Sequence, residues 1–179
     1  LNCEINFKEK KNNTSVKSCF ITFNLKELFN ITYLEYTNKI ISNELLSIKC
    51  EIENKTFDGG EVETKLLTTP FFCAIKTFKM ETLFASKLLA VLNRKWQTRI
   101  KGRDFYDYLF YISNNTKVNM VFLENGLKTF GYLSSDDKLT LNRLKQELKE
   151  KFLTINFDEV KKDVDSFISK DDILIKAFN

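Results

Sequence analysis

Residues 81–111 read ETLFASKLLAVLNRKWQTRIKGRDFYDYLFY, and their charged positions are the part of the chain best equipped for chemistry. Leu83, Phe84, Ala85, Leu88, Leu89, Ala90, Val91 and Leu92 predict a helix that is apolar almost all round, and Lys87 interrupts it. An ammonium with Leu83, Phe84, Ala90 and Val91 one turn away needs a partner or a ligand, and Arg94 follows on nearly the same side. A second helix is expected to open at Gly102-Arg103-Asp104, where a carboxylate in the first turn favours the helix dipole. Asp107 at i+3 then shares a face with Asp104, Tyr108 and Tyr111, while Phe105, Leu109 and Ile112 supply an apolar face beside it. Between the two helices stand Arg94, Lys95, Arg99, Lys101 and Arg103, with no acid among them. Such a run either attracts phosphate, from a triphosphate or an RNA backbone, or forms a solvated basic loop. Trp96 in its middle either stacks on a base or anchors the connection in the core. Asp104 and Asp107 are expected to pair with Arg94, Arg99 and Arg103, fixing the geometry between the helices.

A second group of acids lies on an extended segment. In residues 46–53, LSIKCEIE, alternation sends Ile48, Cys50 and Ile52 toward a core and Lys49, Glu51 and Glu53 to the other face. Taken alone, these two acids are the polar side of an amphipathic strand.

The elements that must position these groups fall into two blocks. Strands are expected at about 2–9, 16–24, 45–54 and 62–68, with a short helix at 25–29 and a turn at Asp58-Gly59-Gly60. Helices follow at about 80–94, 103–114, 118–130, 137–152, 157–168 and 171–177. A strand block followed by a helix block is α+β, with an antiparallel or mixed sheet in the first third and a helical lobe after it, dividing the chain into residues 1–78 and 79–179. The 179 residues carry four cysteines without Cys-x-x-Cys spacing and no histidine, which argues against zinc sites and against Ser-His or Cys-His catalysis. No signal peptide and no apolar run of membrane-spanning length is present, so a cytoplasmic protein with no membrane association is expected.

LFASKLLAVLNRKW followed by RIKGRDFYDYLFYI resembles the later half of nucleotidyltransferases of the AbiEii/AbiGii toxin family, the toxin side of bacterial abortive-infection and toxin–antitoxin pairs. SIKCEIEN and KLLTTPFFCAIKTFKMETLFASK upstream, and INFDEVKKDVDSFI downstream, extend the likeness over most of the chain. The resemblance implies a polymerase-β-like nucleotidyltransferase fold in which a strand carboxylate helps to hold Mg²⁺, and Glu53, then Glu51, are the closest positional matches. It further implies that Lys49, Lys87 and Arg94 or Arg103 hold the phosphates of an incoming NTP, and that Asp104 and Asp107 position those cations or the acceptor. The acceptor implied is a protein side chain or a tRNA 3′ end, and the partner a cognate antitoxin. Enzymes of this superfamily carry a Gly-Ser turn and, some ten residues later, an Asp-x-Asp metal pair, which this chain lacks. Asp163-Val164-Asp165, the only literal Asp-x-Asp, falls in a charged helical pattern matching the family's tail, so it is expected to be a decoy. An N-terminal part of the catalytic domain is accordingly expected outside this chain, leaving the Mg²⁺ site incomplete and the chain alone inactive. The alternative is a non-catalytic basic helical module that binds RNA or an antitoxin.

Overall fold

The computed structural model describes residues 3–8, 16–32, 40–53, 56–95 and 100–168. They form two compact units that divide after Thr56.

The first unit is an antiparallel three-stranded sheet in the order β1 (Cys3–Lys8), β2 (Val16–Asn24), β3 (Leu45–Glu53), with helix α1 (Leu25–Thr32) following β2. Asn24 starts that helix: its side-chain oxygen accepts the Glu27 N–H, and its amide donates to the Ser42 carbonyl. The register sets Val16 opposite Glu53 and Asn24 opposite Leu45, so β3 pairs along its whole length with β2. Alternation places Ile48 and Ile52 as the sequence implies, but their face is not a core: they are 48% and 65% exposed.

The second unit joins a hairpin of β4 (Val62–Leu67) and β5 (Cys73–Phe78) to helices α2 (Met80–Asn93), α3 (Gly102–Ser113), α4 (Met120–Thr129), α5 (Leu141–Leu153) and α6 (Phe157–Asp165). The core belongs to these helices. Phe84, Ala85, Leu88, Val91 and Leu92 of α2 are almost wholly buried against Phe105, Phe122, Leu123, Leu127 and Leu144, each large side chain contributing about 1.5–3 kcal/mol on leaving water. Thr82, fully buried, ties the hairpin to this core: its hydroxyl accepts the Glu61 N–H at 3.1 Å and the Asn119 amide, also at 3.1 Å. Asn119 in turn caps α4 by accepting the Phe122 N–H and donates to the Gly59 carbonyl, holding the expected turn at Asp58-Gly59, where Gly59 takes φ +87°.

Three differences from the sequence reading have local causes. Strand β5 was not expected, because its segment reads as a connection into the lysine-bearing helix. Helix α5 starts at Leu141 rather than 137: Asp137 accepts the Ser134 N–H in a turn, Leu139 donates its N–H to Glu124, and Thr140 caps the helix through the Arg143 N–H. On α3, Ile112 is 48% exposed, whereas Tyr111 is buried and stacks on Phe84 with ring centroids 5.0 Å apart. The expected helix at 171–177 lies outside the described residues. Among the described residues no helix is long and apolar enough to cross a membrane.

A basic cleft at the junction of α2 and α3

The cleft is built by two helices that pack together and by the segment that leaves α6. Lys87, on the one flank of α2 that is not fully buried, extends its ammonium to the Asp107 carboxylate of α3 at 2.6 Å. At the C-cap of α2, the residue directly after Asn93, the Arg94 guanidinium donates to Asp104. The two pairs are unequal. The Asp104 side chain is 8% exposed, whereas Lys87, Arg94 and Asp107 keep a third or more of theirs in solvent. Lys87 is therefore not enclosed by its apolar neighbours as the sequence implies; its long stem crosses the apolar flank and delivers the charge to the cleft. Tyr111 lies beside this pair: burial pushes its hydroxyl above the ordinary range, Asp107 adds to the effect and Lys87 opposes it.

The mouth of α3 is fixed from a distance. Asp163 of α6 accepts the Gly102 N–H at 2.9 Å, supplying the cap that Lys101 does not. The Asp-x-Asp of the sequence thus has a structural task here: Val164 is buried in the core and Asp163 docks α3. Lys151 of α5 performs the matching service for α2, donating to the carbonyls of Leu92 at 3.3 Å and Arg94 at 2.7 Å. Burial lowers the Lys151 ammonium from its ordinary value.

Between these supports opens a cavity of about 460 Å³ lined by Lys87, Arg94, Lys101, Arg103, Asp104, Asp107, Tyr106, Phe167 and Ile168. Four cations face two carboxylates, leaving two formal positive charges. Arg103 does not join the aspartates, as their spacing implied; its guanidinium lies over the Phe167 ring, 5.7 Å from the centroid. Trp96 and Arg99 lie outside the described residues. Lys101, Tyr106 and Phe167 line the cleft without having been singled out as site residues. Lys101 had a local signal in the run of cations, whereas Phe167 reaches the cleft only through the docking of α6.

Lys49, Glu51 and Glu53 belong to the other unit. They share the polar face of β3, where Lys49 Nζ lies 2.7 Å from Glu51 Oε1. Among the described residues no three His, Cys, Asp or Glu side chains converge to hold a metal ion. With Glu51 paired to a lysine, this donor set does not by itself fit Mg²⁺, which takes six hard oxygen ligands in a near-ideal octahedron.

The chain is α+β, and its helical unit sets four cations from α2, α3 and their ends around one cleft. The family model for the nucleotidyl transferase AbiEii toxin of type IV toxin–antitoxin systems matches residues 20–177, and the chain belongs to that family. The match takes in β3, the lysine-bearing helix and the RD-x-x-D helix together. No curated protein and no solved structure matches the chain significantly.

Proposed function

We propose that this chain carries the nucleotide-holding cleft of a nucleotidyl transferase toxin that moves a nucleotide from an NTP to an acceptor hydroxyl, on a tRNA 3′ end or a protein side chain. The observation that supports it is the surplus of positive charge in the cleft: Lys101 and Arg103 have no carboxylate within ion-pair distance among the described residues. Their charge is available to a triphosphate. In this reading Lys87, Arg94, Lys101 and Arg103 hold phosphate oxygens, while Asp107 and Asp104 are positioning residues that aim the first two. As the acceptor oxygen forms its bond to the α-phosphorus, the bond to the β-phosphate oxygen breaks, and these cations stabilise the charge that gathers on the departing pyrophosphate. Mg²⁺ would accompany the triphosphate and help to neutralise its charge. A cytoplasmic setting with a cognate antitoxin as partner fits the family.

Binding of labelled NTPs in Mg²⁺ buffer tests the reading. The Lys101→Gln and Arg103→Gln variants should each weaken binding by about tenfold or more, the worth of one charge-assisted contact, with the melting temperature unchanged. NTP affinity unchanged from the parent chain in both variants would remove the cleft from nucleotide binding and favour the alternative of a basic module that only binds RNA or an antitoxin.

A further inference from the structure

Cys19 and Cys50 are far apart in sequence, yet the antiparallel register makes them direct partners across β2 and β3. Partners of this kind have Cα atoms about 4.5–5.5 Å apart, inside the range of about 4.4–6.8 Å that a disulfide spans. Both side chains point to the same face, the one that carries the exposed Ile48 and Ile52, and both are partly accessible. Both thiols are free, and Cys50 is near enough to Cys19 to raise its thiol above the ordinary range. Among the described residues no further His, Cys, Asp or Glu side chain joins them to make a metal site, so the chemistry available to this pair is that of a dithiol.

We propose that Cys19 and Cys50 form a reversible cross-strand disulfide, written by exchange with low-molecular-weight disulfides. Burial and the neighbouring Cys50 thiol hold the Cys19 thiol above its ordinary range, and either sulfur can open the exchange with the same balance of atoms, as for Cys50 here. The Cys50 thiolate attacks one sulfur of the small disulfide, forming a mixed disulfide and releasing one small thiolate, which takes up the proton Cys50 gave. Cys19 then attacks the Cys50 sulfur, the second small thiol leaves with the Cys19 proton, and one disulfide with two protein thiols has become one protein disulfide with two small thiols. The new bond ties the outer strand β3 to β2 in mid-ladder, on the face opposite Glu51 and Glu53. This pair belongs to the first unit and the basic cleft to the second, and its chemistry holds whether or not those acids take part in transfer.

The test treats the folded chain with oxidised glutathione, blocks the remaining thiols with a maleimide and maps the peptides by mass spectrometry. Two of the four thiols should be lost, a peptide joining Cys19 to Cys50 should appear, and dithiothreitol should restore both. The Cys73→Ser variant should give the same linked peptide, whereas Cys19→Ser should retain glutathione on Cys50. Lasting glutathione adducts on both residues of the parent chain, or links from Cys50 to Cys3, Cys73 or a second molecule, would overturn the proposal. So would a product mixture identical to that of the urea-unfolded chain, because the fold would then confer no pairing.

Discussion

Arg94 and Lys87 carry the same charge and each meets one aspartate of α3, but their loss should have different consequences. Arg94 neutralises Asp104, whose side chain is nearly buried, so removing the guanidinium leaves a carboxylate desolvated and unpaired. Lys87 and Asp107 both stay partly in water, where breaking such a pair changes stability little. Arg94→Met is therefore expected to cost about 3 kcal/mol, and Lys87→Met about 0–1 kcal/mol, in urea denaturation of the full chain. Equal losses would show that the two pairs are structurally equivalent. By the same reasoning Asp107, which its spacing placed on a par with Asp104, is the carboxylate the fold can spare. Sequence alone could not separate the two. The i+3 spacing puts both on one face, and what divides them is how deeply α3 sinks against α2 and α6 at its first turn, a matter of packing between helices.

At the scale of elements, the docking of α3 on α6 sets the cleft, and Gly102 is what permits it. A Cβ built there would lie 2.4 Å from the Val160 carbonyl oxygen, 2.9 Å from Val164 Cγ1 and 3.2 Å from Asp163 Cβ. The nearest atom is backbone, which cannot turn aside as a side-chain tip would. Alanine normally favours a helix over glycine by about 1 kcal/mol, but overpacking of this kind costs about 1–3 kcal/mol and here also pulls the Gly102 N–H from Asp163. Gly102→Ala should thus lower the denaturant midpoint and weaken NTP binding together, since Arg103 and Phe167 move with the junction. A variant more stable than the parent would mean that the α3–α6 contact is looser than the structure shows. The helices themselves were legible from their apolar spacing, and α2 and α3 match the expected spans within a residue. The Asp163 cap was not, because a bond between residues 102 and 163 leaves no local mark. Nor was β5, where Ala74, Ile75 and Lys76 are all exposed, so no buried face imposes alternation on its sequence.

For the molecule as a whole, the α+β order of elements follows from the switch between strand-like alternation and helical spacing near Met80, and the lysine helix with its RD-x-x-D sequel carries the family resemblance. What the periodicities could not supply is the charge network that braces the helical unit, and that network sets its response to pH. Lys128 and the Leu139 N–H hold Glu124 below its ordinary value of 4.5, and Arg143 and the Ser134 N–H do the same for Asp137, ordinarily 3.8. Depressed carboxylates stabilise the fold above their unfolded values, and that contribution is lost as pH falls through the folded ones. On the alkaline side Tyr132 donates to Glu147 at 2.7 Å, and burial, reinforced by that carboxylate, pushes its hydroxyl up to about 12 from an ordinary 10. The folded chain then keeps a proton that the unfolded chain releases, so stability present below pH about 10 is lost as pH rises toward about 12. Tyr132→Phe removes the titrating group while keeping the ring. Melting temperatures of parent and variant followed from pH 8 to pH 11 (about two units below the onset and one above it) should show a shallower decline for the variant, with Tyr108, Tyr111, Cys19 and Lys79, all held above their ordinary values, contributing to the residual slope. Parallel declines in the two proteins would mean that Tyr132 titrates alike in the folded and unfolded chains, and that its bond to Glu147 does not persist in solution.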